Sequence, residues 1–148
     1  NLDLVRYLVE VCRLNVNAVN SDGKTILHCA AQSGNLDLVR YLIEMYHLNV
    51  NAVDGYVKTV LHYAAESGNL DLVRYLIEMC HLNVNAIDHL GQTVLDYAHL
   101  SRDFDTIQYI RDIRVRSSFS CAKISLAAFS ALAVIGGVMA VADGQYRR

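Results

Sequence analysis

The chain has 148 residues, enough for one compact domain by the usual span of roughly 100–200 residues. Its 13 Lys plus Arg against 15 Asp plus Glu leave a formal net charge of -2, without the clustered basic surface that marks nucleic-acid binding, so no nucleic-acid partner is expected. Cys12, Cys29, Cys80 and Cys121 form no C-x-x-C pair, which argues for reduced thiols over a zinc site or disulfides, and no basic start followed by an apolar run marks a signal peptide.

The first eight residues, Asn1 to Leu8, recur identically as Asn35 to Leu42 and Asn69 to Leu76, 34 residues apart. Leu-Asn-Val-Asn-Ala follows each time, from Leu14, Leu48 and Leu82. Such register marks a tandem array. Residues 1–19 are the second half of a unit, so the chain reads as a fragment of something longer, with Leu2, Leu4, Val5 and Leu8 open to solvent on one side.

The first complete unit is 20–53. Asn20-Ser21-Asp22-Gly23 is a turn cluster. Thr25 can cap the helix that follows, Ala30 and Ala31 let a neighbouring helix approach closely, and Gly34 suits the left-handed residue at the helix end. A second helix then carries Leu38, Val39, Leu42, Ile43 and Tyr46 at helical spacing, with Asp37 in its first turn, where the helix dipole favours negative charge. Two helices cannot bury that stripe alone, whereas stacked units bury a continuous core. The unit 54–87 repeats the pattern, with Thr59 and Gly68 at the equivalent positions but Val57 where the first has Gly23, which predicts a distorted turn. Residues 88–112 keep Gly91, Thr93, Leu95 and Ala98, then drift: Asp96 replaces a histidine, Arg102 a glycine and Thr106 a core leucine, as suits a capping unit with one face in solvent.

The pattern D-x-x-G-x-T-x-L-H-x-A-A-x-x-G, followed by V-x-x-L and V-N-A, resembles the ankyrin repeat over residues 1–112. The resemblance implies an all-α solenoid of helix-turn-helix units with β-turn or hairpin fingers, and a protein-binding role. Two departures bear on stability. The proline that usually follows the capping threonine is Ile26, Val60 or Val94, and the chain has no proline at all. Each unit also carries one residue more than the common 33, near Tyr46-His47-Leu48, where the family usually has a helix-ending glycine; an extended helix or altered C-cap is expected there.

His28 and His62 are the most tempting catalytic residues, but a catalytic site is built once and a structural position recurs. The resemblance implies that each bonds its threonine and a neighbouring backbone group. No phosphate loop, nucleophile elbow or H-E-x-x-H is present, so no catalytic residue, cofactor, metal or small-molecule substrate is expected. Carried over position by position, the family's binding surface selects finger tips and concave first-helix positions. These are Ser21, Asp22, Lys24, Cys29, Gln32 and Ser33; then Gly55, Tyr56, Lys58, Tyr63, Glu66 and Ser67; then His89, Leu90, Gln92, Tyr97, Leu100 and Ser101. Lys24 and Lys58 aside, most of these differ between near-identical units, as expected of a fixed frame with a varied contact surface. Residues 1–110 hold thirteen acids against seven Lys plus Arg, which favours a basic or mixed partner surface.

Residues 113–123 form a basic segment that includes Arg114, Arg116 and Lys123. Residues 124–142 then run for nineteen positions without a charge, close to the roughly 20 apolar residues that span a bilayer, and 143–148 form a short tail. The basic side tends to remain cytoplasmic. This predicts a single-pass membrane helix with cytosolic repeats. Two alternatives stay open: a soluble module whose C-terminal helix caps the stack, or a regulatory ankyrin segment of a larger membrane protein.

Overall fold

The computed structural model describes residues 2–118. Its elements are all helical: α1 (Leu2–Glu10), α2 (Ile26–Gln32), α3 (Leu36–Tyr46), α4 (Val60–Ser67), α5 (Leu70–Arg74, continued by a π-helical segment, Tyr75–Met79), α6 (Val94–Ser101) and α7 (104–118). The chain divides after Arg111, and the surface described below lies in the unit before that point.

Each finger is shaped by one side chain. Asn20 Oδ1 accepts from the backbone N–H groups of Asp22 and Lys24 at 3.0 and 2.9 Å. Asp54 does the same for Tyr56 and Lys58, and Asp88 for Leu90 and Gln92. A turn bond then closes the tip, from Gly23 N to Asn20 O, Val57 N to Asp54 O and Gly91 N to Asp88 O. Isolated antiparallel bridges join Val19 to Thr25, Val53 to Thr59 and Ile87 to Thr93. The distortion expected at Val57 does not occur. Val57 takes φ +62° beside the +76° and +78° of Gly23 and Gly91, so the turn is kept and the strain falls on a β-branched residue.

The first helices α2, α4 and α6 follow these fingers. Thr25 sends both its backbone N–H and its hydroxyl to His28 Nδ1, at 3.1 and 2.9 Å, and Thr59 repeats this with His62. Here the side chain three residues into the helix reaches back to the cap, the reciprocal half of a capping box. Asp96 keeps that role where the histidine is lost: its Oδ2 accepts from the Thr93 N–H and hydroxyl, both at 2.7 Å. Drift in this unit therefore changed the residue and preserved the bond. Arg102 likewise holds the left-handed conformation, φ +60°, of the glycine it replaces.

The second helices are capped by Asn35 and Asn69, whose Oδ1 atoms accept from Leu38 N and Leu72 N at 3.0 Å, and by Asp103, which accepts from Thr106 N at 2.8 Å. The residue inserted in each unit is absorbed by a left-handed turn on a non-glycine residue: Arg13, His47 and His81 at φ +51°, +51° and +56°. The altered C-cap expected at Tyr46-His47-Leu48 is thus present. Packing follows the small residues. Ala30, Ala31, Ala64, Ala65 and Ala98 are buried between neighbouring units, with Leu27, Leu42, Leu61, Leu72, Leu76 and Ile110 filling the core. Thr106, in place of a core leucine, is also buried and directs its hydroxyl to Gly68 O at 3.3 Å, which satisfies the polar atom.

Residues 113–118 of the expected basic linker are a helical continuation from residue 104, since no Gly or Pro interrupts that stretch. The candidate membrane helix 124–142 and the tail 143–148 lie outside the described residues. Among the described residues no helix is long and apolar enough to cross a membrane.

Candidate partner-binding surface

The eighteen positions selected on the finger tips and first helices separate into two groups, one bound into the frame and one presented to solvent. The frame group is larger than expected. Tyr63 and Tyr97, predicted to face a partner from the concave side, are 2% and 5% exposed. Their hydroxyls donate to the buried carboxylates Asp54 Oδ2 and Asp88 Oδ2 at 2.6 and 2.7 Å. The stacking of units puts each ring edge-on to the histidine of the preceding unit, with centroids 5.6 Å apart for His28 and Tyr63 and 5.2 Å for His62 and Tyr97. Both tyrosines are therefore tie points between units and are not presented for contact.

The lysines belong to the same network. Lys24 Nζ lies 4.6 Å from the Tyr63 ring centroid and Lys58 Nζ 4.8 Å from that of Tyr97, within the range of cation–π attraction. Ser33 and Ser67 donate to Ala30 O and Ala64 O at 2.7 Å, and Ser101 repeats the bond to Ala98 O. Identical residues making identical bonds identify a structural position.

Electrostatics follow from this wiring. Burial works to raise the Asp54 carboxyl, but the Tyr63 hydroxyl and the N–H groups of Lys58 and Tyr56 outweigh it and hold it below its ordinary value. Asp88 is lowered in the same way by Tyr97, Gln92 and Leu90. Burial pushes Tyr63 well above the ordinary phenol range, with Asp54 adding to the effect. Burial lowers His28 and His62. In His28, Nδ1 accepts from Thr25, so the neutral ring carries its proton on Nε2, which faces Ala52 O of the next finger at 3.2 Å. His62 repeats the Thr59 bond at Nδ1, while its buried Nε2 has no hydrogen-bond partner among the described residues.

The presented group comprises Ser21, Asp22, Cys29, Gln32, Gly55, Tyr56, His89, Leu90, Gln92 and Leu100, all exposed, with Glu66 half-buried. The fingers are clasped tip to tip. Gly55 N donates to Asp22 O at 2.7 Å, and His89 N donates to Tyr56 O at 3.0 Å. His89 Nδ1 also lies 3.0 Å from Tyr56 O, and the two rings stand 5.3 Å apart. Tyr56 and Leu90 project 45% and 70% exposed from this braced edge. An acidic, an aromatic and an apolar tip thus stand in a row on a backbone fixed by the clasp.

Sequence reasoning missed the anchoring carboxylates Asp54 and Asp88. The signal was present: each aligns with Asn20 at the repeat interval, and each is followed nine residues later by a tyrosine, Tyr63 or Tyr97, where the Asn20 unit has Cys29. A family model for ankyrin repeats in many copies matches residues 1–43, 27–77 and 61–111. No curated protein matches the chain.

Proposed function

Because this chain belongs to the ankyrin-repeat family and carries its protein-interaction module, we propose that it is a non-catalytic scaffold whose contact surface is the row of finger tips and the exposed first-helix positions. One observation carries this reading. The exposed tips change from Ser21-Asp22 to Gly55-Tyr56 to His89-Leu90, while the frame beneath them repeats: half-buried Thr25, Thr59 and Thr93, and buried Ala30, Ala64 and Ala98. Rigid backbones presenting different side chains reduce the ordering cost of association. Tyr56 and Leu90 supply the central contact, since exposed aromatic and apolar side chains on a preorganised edge are where binding energy concentrates. Asp22 and Gln92 set the rim.

The test selects binders from a displayed polypeptide library against the whole chain and then challenges them with the Tyr56→Ala/Leu90→Ala double variant. Affinity is expected to fall at least about tenfold, the equivalent of about 1.4 kcal/mol, with thermal unfolding unchanged. Binders that do not distinguish the two proteins would place the contact elsewhere.

The second part of the proposal is a tether. The uncharged run 124–142, preceded by Arg111, Arg114, Arg116 and Lys123, supports a membrane-anchored chain with cytosolic repeats. Alkaline carbonate extraction of the whole chain is compared with a chain ending at Ser118. Retention of the whole chain alone in the membrane pellet supports the tether. If both are soluble and the shorter chain melts lower, the run is a cap on the stack.

A further inference from the structure

On the side formed by the second helices, an arginine lies over a tyrosine ring at each of three intervals, and at two of them the tyrosine also bonds a glutamate. Arg6 lies 5.6 Å from the ring centroid of Tyr41, whose hydroxyl donates to Glu10 at 2.7 Å. Arg74 lies 5.1 Å from the ring centroid of Tyr109, whose hydroxyl donates to Glu78 at 2.8 Å. The middle interval has the same residue types, with Arg40 5.7 Å from the Tyr75 ring centroid, but the third link differs: Glu44 meets Arg40 at 3.5 Å, and Tyr75 sits against the Cys80 thiol.

Cys80 lies beside this link. It occupies the repeat position that Tyr46 fills one unit earlier. There the Tyr46 ring stands edge-on to Tyr41, centroids 5.6 Å apart at 79°, and the two hydroxyls are 3.2 Å apart. Beside Cys80 an open cleft of about 620 Å³ is lined by Arg40, Glu44, His47, Tyr75, Met79 and Cys80 among others. That volume lies within the roughly 300–1,000 Å³ of ligand clefts. The backbone differs too. The floor of the cavity is the π-helical segment Tyr75–Met79, where Cys80 N donates to Tyr75 O, whereas α3 is regular through Tyr46. Such π turns recur at functional sites.

We propose that this cavity receives a tyrosine side chain from a partner polypeptide, its ring edge-on to Tyr75 as Tyr46 is to Tyr41, and its hydroxyl joining Tyr75 and Glu44. The occupant is chosen by the chain's own preceding interval, where the Tyr46 phenol stands edge-on to Tyr41 and the Tyr41 hydroxyl bonds Glu10. Met79 is largely exposed at the same cavity, and a methionine thioether is a favourable neighbour for an aromatic ring. Burial pushes the Cys80 thiol up, so the cavity floor stays neutral. This site is separate from the finger tips and does not depend on their role.

The experiment titrates the full chain, observed by NMR at the Met79 methyl group and the Tyr75 ring, with N-acetyl-tyrosine amide, N-acetyl-phenylalanine amide and p-cresol. The tyrosine amide is expected to shift both signals. The phenylalanine amide is expected to bind roughly three- to tenfold more weakly, because the hydroxyl's bond to a carboxylate is lost. Cys80→Tyr places a phenol against Tyr75 from within the chain and is expected to abolish the shifts while raising the melting temperature. Glu44→Gln, a surface change that leaves the fold testable, is expected to erase the preference for tyrosine over phenylalanine. No shift at millimolar amide, or equal shifts in Cys80→Tyr, overturns the proposal. A p-cresol affinity matching that of the tyrosine amide overturns the polypeptide occupant in favour of a free phenol.

Discussion

Val57 is a β-branched residue held at φ +62° in a turn whose two counterparts are Gly23 and Gly91. A left-handed conformation costs a Cβ-bearing residue roughly 1–2 kcal/mol, and a branched side chain belongs near the upper figure. Replacing Val57 with glycine relieves about 2 kcal/mol. Against this, glycine enlarges the unfolded ensemble by about 0.6 kcal/mol. The side chain is 48% exposed, so about half of a valine's burial energy, roughly 0.7 kcal/mol, is also lost. The balance is a stabilisation of about 0.7 kcal/mol, or roughly 3 °C in melting temperature. Gly91→Val is the mirror experiment. Gly91 has φ +78° and an added Cβ there meets nothing within 4 Å, so conformational strain acts alone. With about 2 kcal/mol of strain and about 0.6 kcal/mol regained in the unfolded chain, it should destabilise by about 1.4 kcal/mol. Urea unfolding with an unchanged m-value measures both. If Val57→Gly is neutral or worse and Gly91→Val is tolerated, left-handed strain is not what distinguishes these fingers.

Three further outcomes follow from the same wiring. Gly55→Ala places a Cβ 2.9 Å from Asp22 O, so it should break the clasp between the first two fingers and lower stability by about 1–2 kcal/mol in urea unfolding. Tyr63→Phe leaves the Asp54 carboxylate, 5% exposed, without its shortest donor and should cost about 1.5–3 kcal/mol; a double-mutant cycle with Asp54→Asn should recover much of that loss. Acid should destabilise in two steps. His28 and His62 are lowered from 6.5 by burial, so their stabilisation is complete above that value. It is lost as pH falls toward their folded values, with a limiting slope of about 1.4 kcal/mol per pH unit for each. Asp54 and Asp88, held below 3.8, add a second loss under that pH. Chemical unfolding from pH 7.5 to 3 reads both steps, and a flat profile between pH 7 and 5 would refute the histidine step.

The repeat register, the helical pairs and the bonds from Thr25 to His28 and from Thr59 to His62 were legible in the sequence, because a tandem array prints its local geometry once per unit; the backbone partner expected for His62 is not found, since its Nε2 is buried without one. The assignment of Thr93 and its neighbours to a drifting unit was legible for the same reason. What the sequence could not rank was exposure. Tyr63 and Tyr56 look equally suited to a partner, yet stacking buries one on Asp54 and leaves the other at a tip. That choice depends on contacts between residues of different units, and a pattern read one unit at a time contains no such distances. The same holds for Cys80. Its alignment with Tyr46 is visible in the sequence, but which residues line the cleft beside it depends on how the second helices of neighbouring units are spaced, and a pattern read one unit at a time does not contain that distance.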